Sequence, residues 1–223
     1  MTPQAAPRPL PQRLGAEFLG TMFLLAAVVG SGIMGERLAA GNIAVALLAN
    51  SIATGAALVA FIITFGPISG AHFNPAVTLA EMLRREFSVR DSLSYIAAQI
   101  AGAFTGVALA HLMFGVALVQ RSTHVRGGAG QVIAEFVATL GLLWVISSCA
   151  RHQPAGCPWA VGAYITGAYW FTASTSFANP AVTLARAMTD TFAGIAPGSV
   201  LPFVAAQIVA VPVAVGLWRW LAR

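Results

Sequence analysis

One four-residue string occurs twice in the chain, as Asn74-Pro75-Ala76-Val77 and as Asn179-Pro180-Ala181-Val182. Asn is a favoured N-cap, and Pro is tolerated at the first helical position because its missing N–H would be unpaired there anyway. Each string therefore opens a helix, and the runs Asn74 to Arg84 and Asn179 to Met188 have helical composition. About ten residues at ~1.5 Å each reach roughly 15 Å, half of a ~30 Å hydrocarbon core. A helix that stops halfway through a membrane leaves its first N–H groups aimed into the protein, where something must accept them. Two such helices entering from opposite faces would meet tip to tip, positive end to positive end. That arrangement repels cations and presents two Asn amides to whatever passes between.

A membrane is what the composition asks for. Charged residues make up 9% of the chain and hydrophobic residues 58%, with a mean hydropathy of +0.79, against about 25% charged in a soluble domain. The 223 residues make one domain with room for about six spanning helices. The net charge of +5 does not point to nucleic acid, because all the basic residues are Arg, scattered over loops and termini with no basic face. Cys149 and Cys157, at the end of one span and in the next loop, have no acid nearby and make a poor metal site. On the cytoplasmic side a disulfide between them is not expected. No nucleophile–base pairing or phosphate loop argues for an enzyme, and no cofactor is implied.

Six apolar spans are expected at about Leu14–Met34, Ile43–Phe65, Leu93–Leu118, Gln131–Cys149, Trp159–Thr175 and Val200–Leu221. The Pro-rich stretch 1–12 reads as a disordered cytoplasmic tail, and the apolar run behind it, lacking a small-residue cleavage site, reads as the first span. Each half is then span, span, half-helix, span. The halves also match residue by residue. Ala16-Glu17-Phe18 with Thr21 recurs as Ala134-Glu135-Phe136 with Thr139, and Ala97-Ala98-Gln99-Ile100 as Ala205-Ala206-Gln207-Ile208. An odd number of full spans per copy inverts the second copy, so repeats at about 14–118 and 131–221 form an inverted pair. With both termini in the cytoplasm, eight Arg fall inside (Arg8, Arg13, Arg84, Arg85, Arg90, Arg151, Arg219 and Arg223) and four outside. That excess inside fixes the orientation.

Glu17 and Glu135 lie within apolar spans, where a bare carboxylate costs several kcal/mol. A proton relay is one reading. Their equivalent placement in the two copies favours another, in which each accepts N–H donors from the loop ahead of a half-helix. Gln99 and Gln207 share that symmetry and the same kind of role. His72, two residues before Asn74, reads as a hydrogen-bonding residue of the turn rather than a pH gate. Gly102 and Gly106 have the small-xxx-small spacing of close helix packing, and Gly20, Gly55, Gly162 and Gly167 also thin helix faces.

The paired Asn-Pro-Ala helices, Ser69-Gly70-Ala71-His72-Phe73 before the first, the paired Ala-Glu-Phe openings and the paired Ala-Ala-Gln sites resemble the major intrinsic protein family, the aquaporins and glycerol facilitators. The resemblance runs from about Leu14 to Leu221. It implies an all-α, aquaporin-like membrane fold with six spans and two re-entrant half-helices. It also implies a homotetramer in the cell membrane, a bacterial inner membrane, with one pore per subunit. Each pore would conduct water or small neutral solutes passively, and Asn74 and Asn179 would bind the passing molecule at the midplane.

One departure from the family pattern bears on selectivity. The family usually places Arg directly after the second Asn-Pro-Ala, where this chain has Val182. Counting back from the motifs puts Thr54, Gly167 and Ser176 at the other filter positions. None is charged or large. Losing Arg removes a donor fork and a fixed charge, so a wide filter passing bulkier neutral solutes is expected. Glycerol-like polyols and undissociated metalloid hydroxides such as arsenous acid are candidates, along with water. The resemblance is to the bacterial aquaglyceroporin-like branch that lacks this Arg and is linked to arsenic handling. A water-selective channel and, further off, a coupled secondary transporter are the alternatives. Arg186, one turn beyond Val182 on the same helix face, either returns a positive charge to the outer mouth or pairs with a polar neighbour such as Asp190.

Overall fold

A computed structural model describes residues 8–222. Its α-helices are α1 (Leu10–Leu38), α2 (Ile43–Ser69), α3 (Pro75–Leu83), α4 (Val89–Phe114), α5 (Ala129–His152), α6 (Cys157–Phe171), α7 (Pro180–Ala185) and α8 (Pro197–Leu221). The described residues contain no strand. Five of these helices, α1, α2, α4, α5 and α8, are long and apolar enough to cross a membrane. Their outward faces carry bare Leu, Ile, Val, Phe and Trp, among them Ile52, Ile63, Leu112, Leu201 and Trp220. Lipid covers such a surface, which in water would be a large liability.

Several boundaries differ from the sequence reading, three helices most tellingly. Helix α1 begins at Leu10 behind Pro9, so Leu10–Gln12 are helical and not tail; residues 1–7 of the expected tail lie outside the described residues. Helix α4 stops at Phe114 because Gly115 takes a left-handed conformation (φ 65°), which leaves Gly115–Leu118 in a loop. Helix α6 runs from Cys157 to Phe171 instead of 159–175, so Cys157 opens a helix. It is 15 residues long, about 22 Å. Beyond it the chain turns inward in a loop whose backbone needs positive φ at Thr175, Ser176 and Ala178.

Small residues let the spans close on one another. A Cβ on Gly102 or Gly106 would sit 2.3 and 2.2 Å from the Phe18 and Met22 carbonyl oxygens, which fixes α4 against α1. On the other side, Gly55 of α2 and Gly162 of α6 meet backbone to backbone. This is van der Waals packing, the main cohesive force left once lipid removes the hydrophobic one. Between the spans lie the half-helices, each packed on the closing spans of both copies: α3 on α4 and α8, α7 on α4 and α8.

The two ends of the bundle can be told apart by their contacts. At one end Arg13, near the start of α1, pairs with Asp91 at the start of α4, and Arg219, near the end of α8, donates to the carbonyl of Leu83. This near end carries both ends of the described residues. At the far end Arg37 donates to Phe114 O, and Asp190 accepts from Thr123 N and Oγ1.

Candidate functional site

The half-helices meet at the centre through their caps. Asn74 Oδ1 accepts from Ala76 N (2.8 Å), and Asn179 Oδ1 accepts from Ala181 N (3.0 Å). Each then reaches across the repeat. Asn74 Nδ2 donates to Ala178 O (2.7 Å), and Asn179 Nδ2 donates to Phe73 O (2.8 Å). A carboxamide nitrogen has two N–H groups, so each Asn retains one donor. Both residues line a central cavity of about 260 Å³.

The loops that carry these caps are strained in the same way. Ala71 and Phe73 have φ of 51° and 50°, and their counterparts Ser176 and Ala178 have 50° and 47°. Non-glycine residues adopt this region only when the surroundings hold them there. The buried glutamates supply that hold. Glu17 accepts from His72 N (2.9 Å), Phe73 N (2.7 Å), Ser69 Oγ and Gln99 Nε2. Glu135 accepts from Phe177 N (2.8 Å), Ala178 N (2.9 Å) and Gln207 Nε2. Gln99 and Gln207 also donate to Thr78 and Thr183 on the half-helices. Both carboxylates are fully buried and already carry this load of donors. His72 lines the cavity, bonds Thr78 Oγ1 through Nδ1 (3.1 Å) and packs against Phe87 and Tyr95.

Outward of the Asn pair, Thr54, Ser176 and Val182 line the cavity, as the counting from the motifs places them. Gly167 does not. The α6 residues on the cavity are Cys157, Val161, Ile165 and Tyr169, at every fourth position. Gly167 lies two residues from both Ile165 and Tyr169, about 200° around the helix. It is exposed on the outer face, with nothing within 4 Å of an added Cβ. The expectation for Gly167 is therefore corrected, and Tyr169 stands in its place. A count across the loop 172–178 mistakes the phase of α6 by two residues. Tyr169 is buried, with its hydroxyl 3.2 Å from Thr54 Oγ1. The ring at this level, the neck, is then Thr54, Tyr169, Ser176 and Val182: more aromatic than the sequence suggested, and still uncharged. Ser176 Oγ is buried there without a protein partner.

Arg186 stands one turn further out, 2% exposed, and lines the cavity. Its Nε donates to Ala193 O, and its guanidinium lies over the Phe177 ring, 3.4 Å from the centroid. It does not pair with Asp190, which instead holds Thr123 and lies 3.8 Å from His124. Its Nη1 and Nη2 make no hydrogen bond to a described residue, and the side chain lines the cavity. A second guanidinium, Arg126 from the loop after α4, stacks on the same ring at 5.1 Å. Its donors go to the carbonyls of Gly194, Phe192 and Ser174. Burial lowers the Arg126 pKa, from a value so high that the charge persists at neutral pH.

Sequence reasoning missed Tyr169, Arg126 and, at the near end, Glu81. The first was available in the four-residue spacing of Val161, Ile165 and Tyr169. Glu81 was available too, since it occupies in the first repeat the place that Arg186 occupies in the second, seven residues after the Asn. Arg126 carries no such signal, because its place depends on how a loop folds back.

Comparison with known proteins agrees with this architecture. The family model for the major intrinsic protein matches residues 8–165. Aquaglyceroporin AqpS of Rhizobium meliloti (strain 1021) is 53% identical over 212 residues, covering 95% of this chain and 91% of that protein. Aquaporin NIP1-4 of Oryza sativa subsp. japonica is 36% identical over 146 residues, 65% of this chain and 52% of the rice protein. Among solved structures, the aquaglyceroporin from Plasmodium falciparum superposes with a TM-score of 0.75 over 94% of this chain and 96% of that one, at 20% identity, a likeness of fold.

Proposed function

The chain belongs to the major intrinsic protein family, a family of passive membrane channels and not of enzymes, and from that premise we propose that its passage conducts small neutral hydroxylated solutes. Glycerol-like polyols, undissociated metalloid hydroxides such as arsenous acid, and water are the substrates. The observation that carries this reading is the neck. Tyr169 offers an aromatic face to the C–H side of a polyol, and Thr54 and Ser176 offer hydroxyls to its O–H side. Val182 leaves the ring uncharged, so a solute is not forced past a guanidinium at the narrowest ring. The relative from Rhizobium meliloti is an aquaglyceroporin by name, which supports solute rather than water selectivity here.

At the midplane, the free N–H donors of Asn74 and Asn179 replace part of the solute's hydration. The positive ends of α3 and α7, about half a charge each, repel cations and protons there. In this reading the near end is cytoplasmic, in keeping with the excess of Arg on that side, and four copies assemble around one axis. A coupled transporter would need Glu17 or Glu135 as a mobile charge carrier. Both already accept three or four hydrogen bonds, and protonation would undo the loops.

Light-scattering swelling of proteoliposomes under water, glycerol and arsenous acid gradients tests the proposal. All three are expected to enter faster than through protein-free vesicles, without an ion gradient. Acceleration of water alone would overturn it in favour of a water-selective channel.

A further inference from the structure

The charges that face the passage are unevenly opposed. Two half-helix N-termini meet at the middle, and Arg186 lines the passage one turn outward of the neck, with Arg126 behind it. Every one of these is positive. They reject cations, and by the same electrostatics they invite anions. Glu81 is the one carboxylate among the residues lining the passage, and it sits at the near end. That end needs one. A polar pocket beside the mouth is lined by Arg84, Arg151 and Arg219 together with Glu81 and Glu86, and Glu81 faces both the pocket and the passage. The Glu81 Oε1 is 3.0 Å from Arg84 Nη1, and Arg84 Nη2 is held by Ser147 Oγ. Both side chains are mostly buried, at 14% and 17% exposure, so the pair is little screened.

We infer that Glu81 is a specificity-determining residue of the near mouth, cancelling the charge of Arg84 and closing the passage to small inorganic anions. This inference rests on the channel reading. The two repeats thereby place opposite charges at the same position, seven residues after each Asn: a positive charge at the far end and, at the near end, a carboxylate that leaves no net charge from Arg84 to draw anions in.

The test measures nitrate entry and glycerol entry into the same proteoliposomes. Glu81→Gln leaves Arg84 and the other arginines unopposed, and nitrate flux is expected to rise at least about tenfold, the lower range for field focusing in a charged cleft. Glycerol flux should stay within about twofold. Glu81→Asp keeps the charge and should remain tight. Adding Arg84→Met to Glu81→Gln removes the unopposed guanidinium and should return nitrate flux to the original level. Three results would overturn the inference: a tight Glu81→Gln channel that still passes glycerol, equal leaks in Glu81→Asp and Glu81→Gln, or a leak accompanied by loss of glycerol flux. Failure of glycerol to cross the unaltered protein would instead sink the channel reading itself.

Discussion

Ahead of α3 and ahead of α7 the chain is built twice to one plan, whereas seven residues past each capping Asn the two copies carry opposite charges, Glu81 and Arg186. In both copies a buried glutamate accepts two successive backbone N–H groups, a glutamine ties it to a half-helix threonine, and an Asn crosses to the other copy's carbonyl. Positive φ recurs three residues and one residue before each Asn. The differences lie at the positions that face the passage. Ala71 corresponds to Ser176, His72 to Phe177 and Glu81 to Arg186. Symmetric residues hold the two half-helices in place, and the asymmetric ones are those to which the proposed selectivity falls. The plan cannot drift in one copy without breaking the other, because each Asn cap is completed by a carbonyl from its counterpart loop.

The largest expected effect breaks the symmetric part. Glu17→Ala orphans the N–H groups of His72 and Phe73, and Glu135→Ala those of Phe177 and Ala178. At about 1–3 kcal/mol for each buried donor left unpaired, either variant should lose several kcal/mol. Thermal unfolding in detergent should show similar losses for both. A large loss for one alone would end the equivalence of the two loops.

Next in size is the neck. Tyr169→Ala removes the aromatic wall and the hydroxyl that meets Thr54. Permeability to solutes larger than glycerol should rise roughly tenfold, because selectivity here is a matter of diameter and lining donors. Gly167→Ala, on the opposite face of the same helix, should change no flux. The reverse pattern would return Gly167 to the filter and remove Tyr169. A smaller effect is expected at the far turn. Hydrogen bonds from Thr123 hold the Asp190 carboxyl below its ordinary pKa. A depressed folded pKa adds stability above the unfolded value near 3.9 and loses it as pH falls through the folded one. Hydrogen exchange at Thr123 N should therefore quicken only below about pH 4, and Asp190→Asn should abolish that dependence.

Much of this was legible in the residues themselves. The duplicated Asn-Pro-Ala string located both half-helices to within a residue or two, since capping and proline geometry are local. The paired acids and amides announced the buried network because few other uses justify charge at equivalent places in two apolar spans. Selectivity was harder to read. Placing Gly167 meant counting across a loop, and helix phase is set by packing of Gly162 on Gly55 rather than by distance along the chain. Arg126 arrives from a connection whose path depends on the carbonyls of residues 174, 192 and 194, none of which its neighbours in sequence foretell.

The most direct measurement concerns position 182, where the proposed neck carries Val in place of a charge. Glycerol and water permeabilities are measured on the same vesicles for the unaltered protein and for Val182→Arg. The expected result is a loss of glycerol flux of roughly tenfold or more, about 1.4 kcal/mol in barrier, with water flux retained. Unchanged glycerol flux, with the variant folded and water still passing, would contradict an uncharged neck as the determinant of what this channel carries.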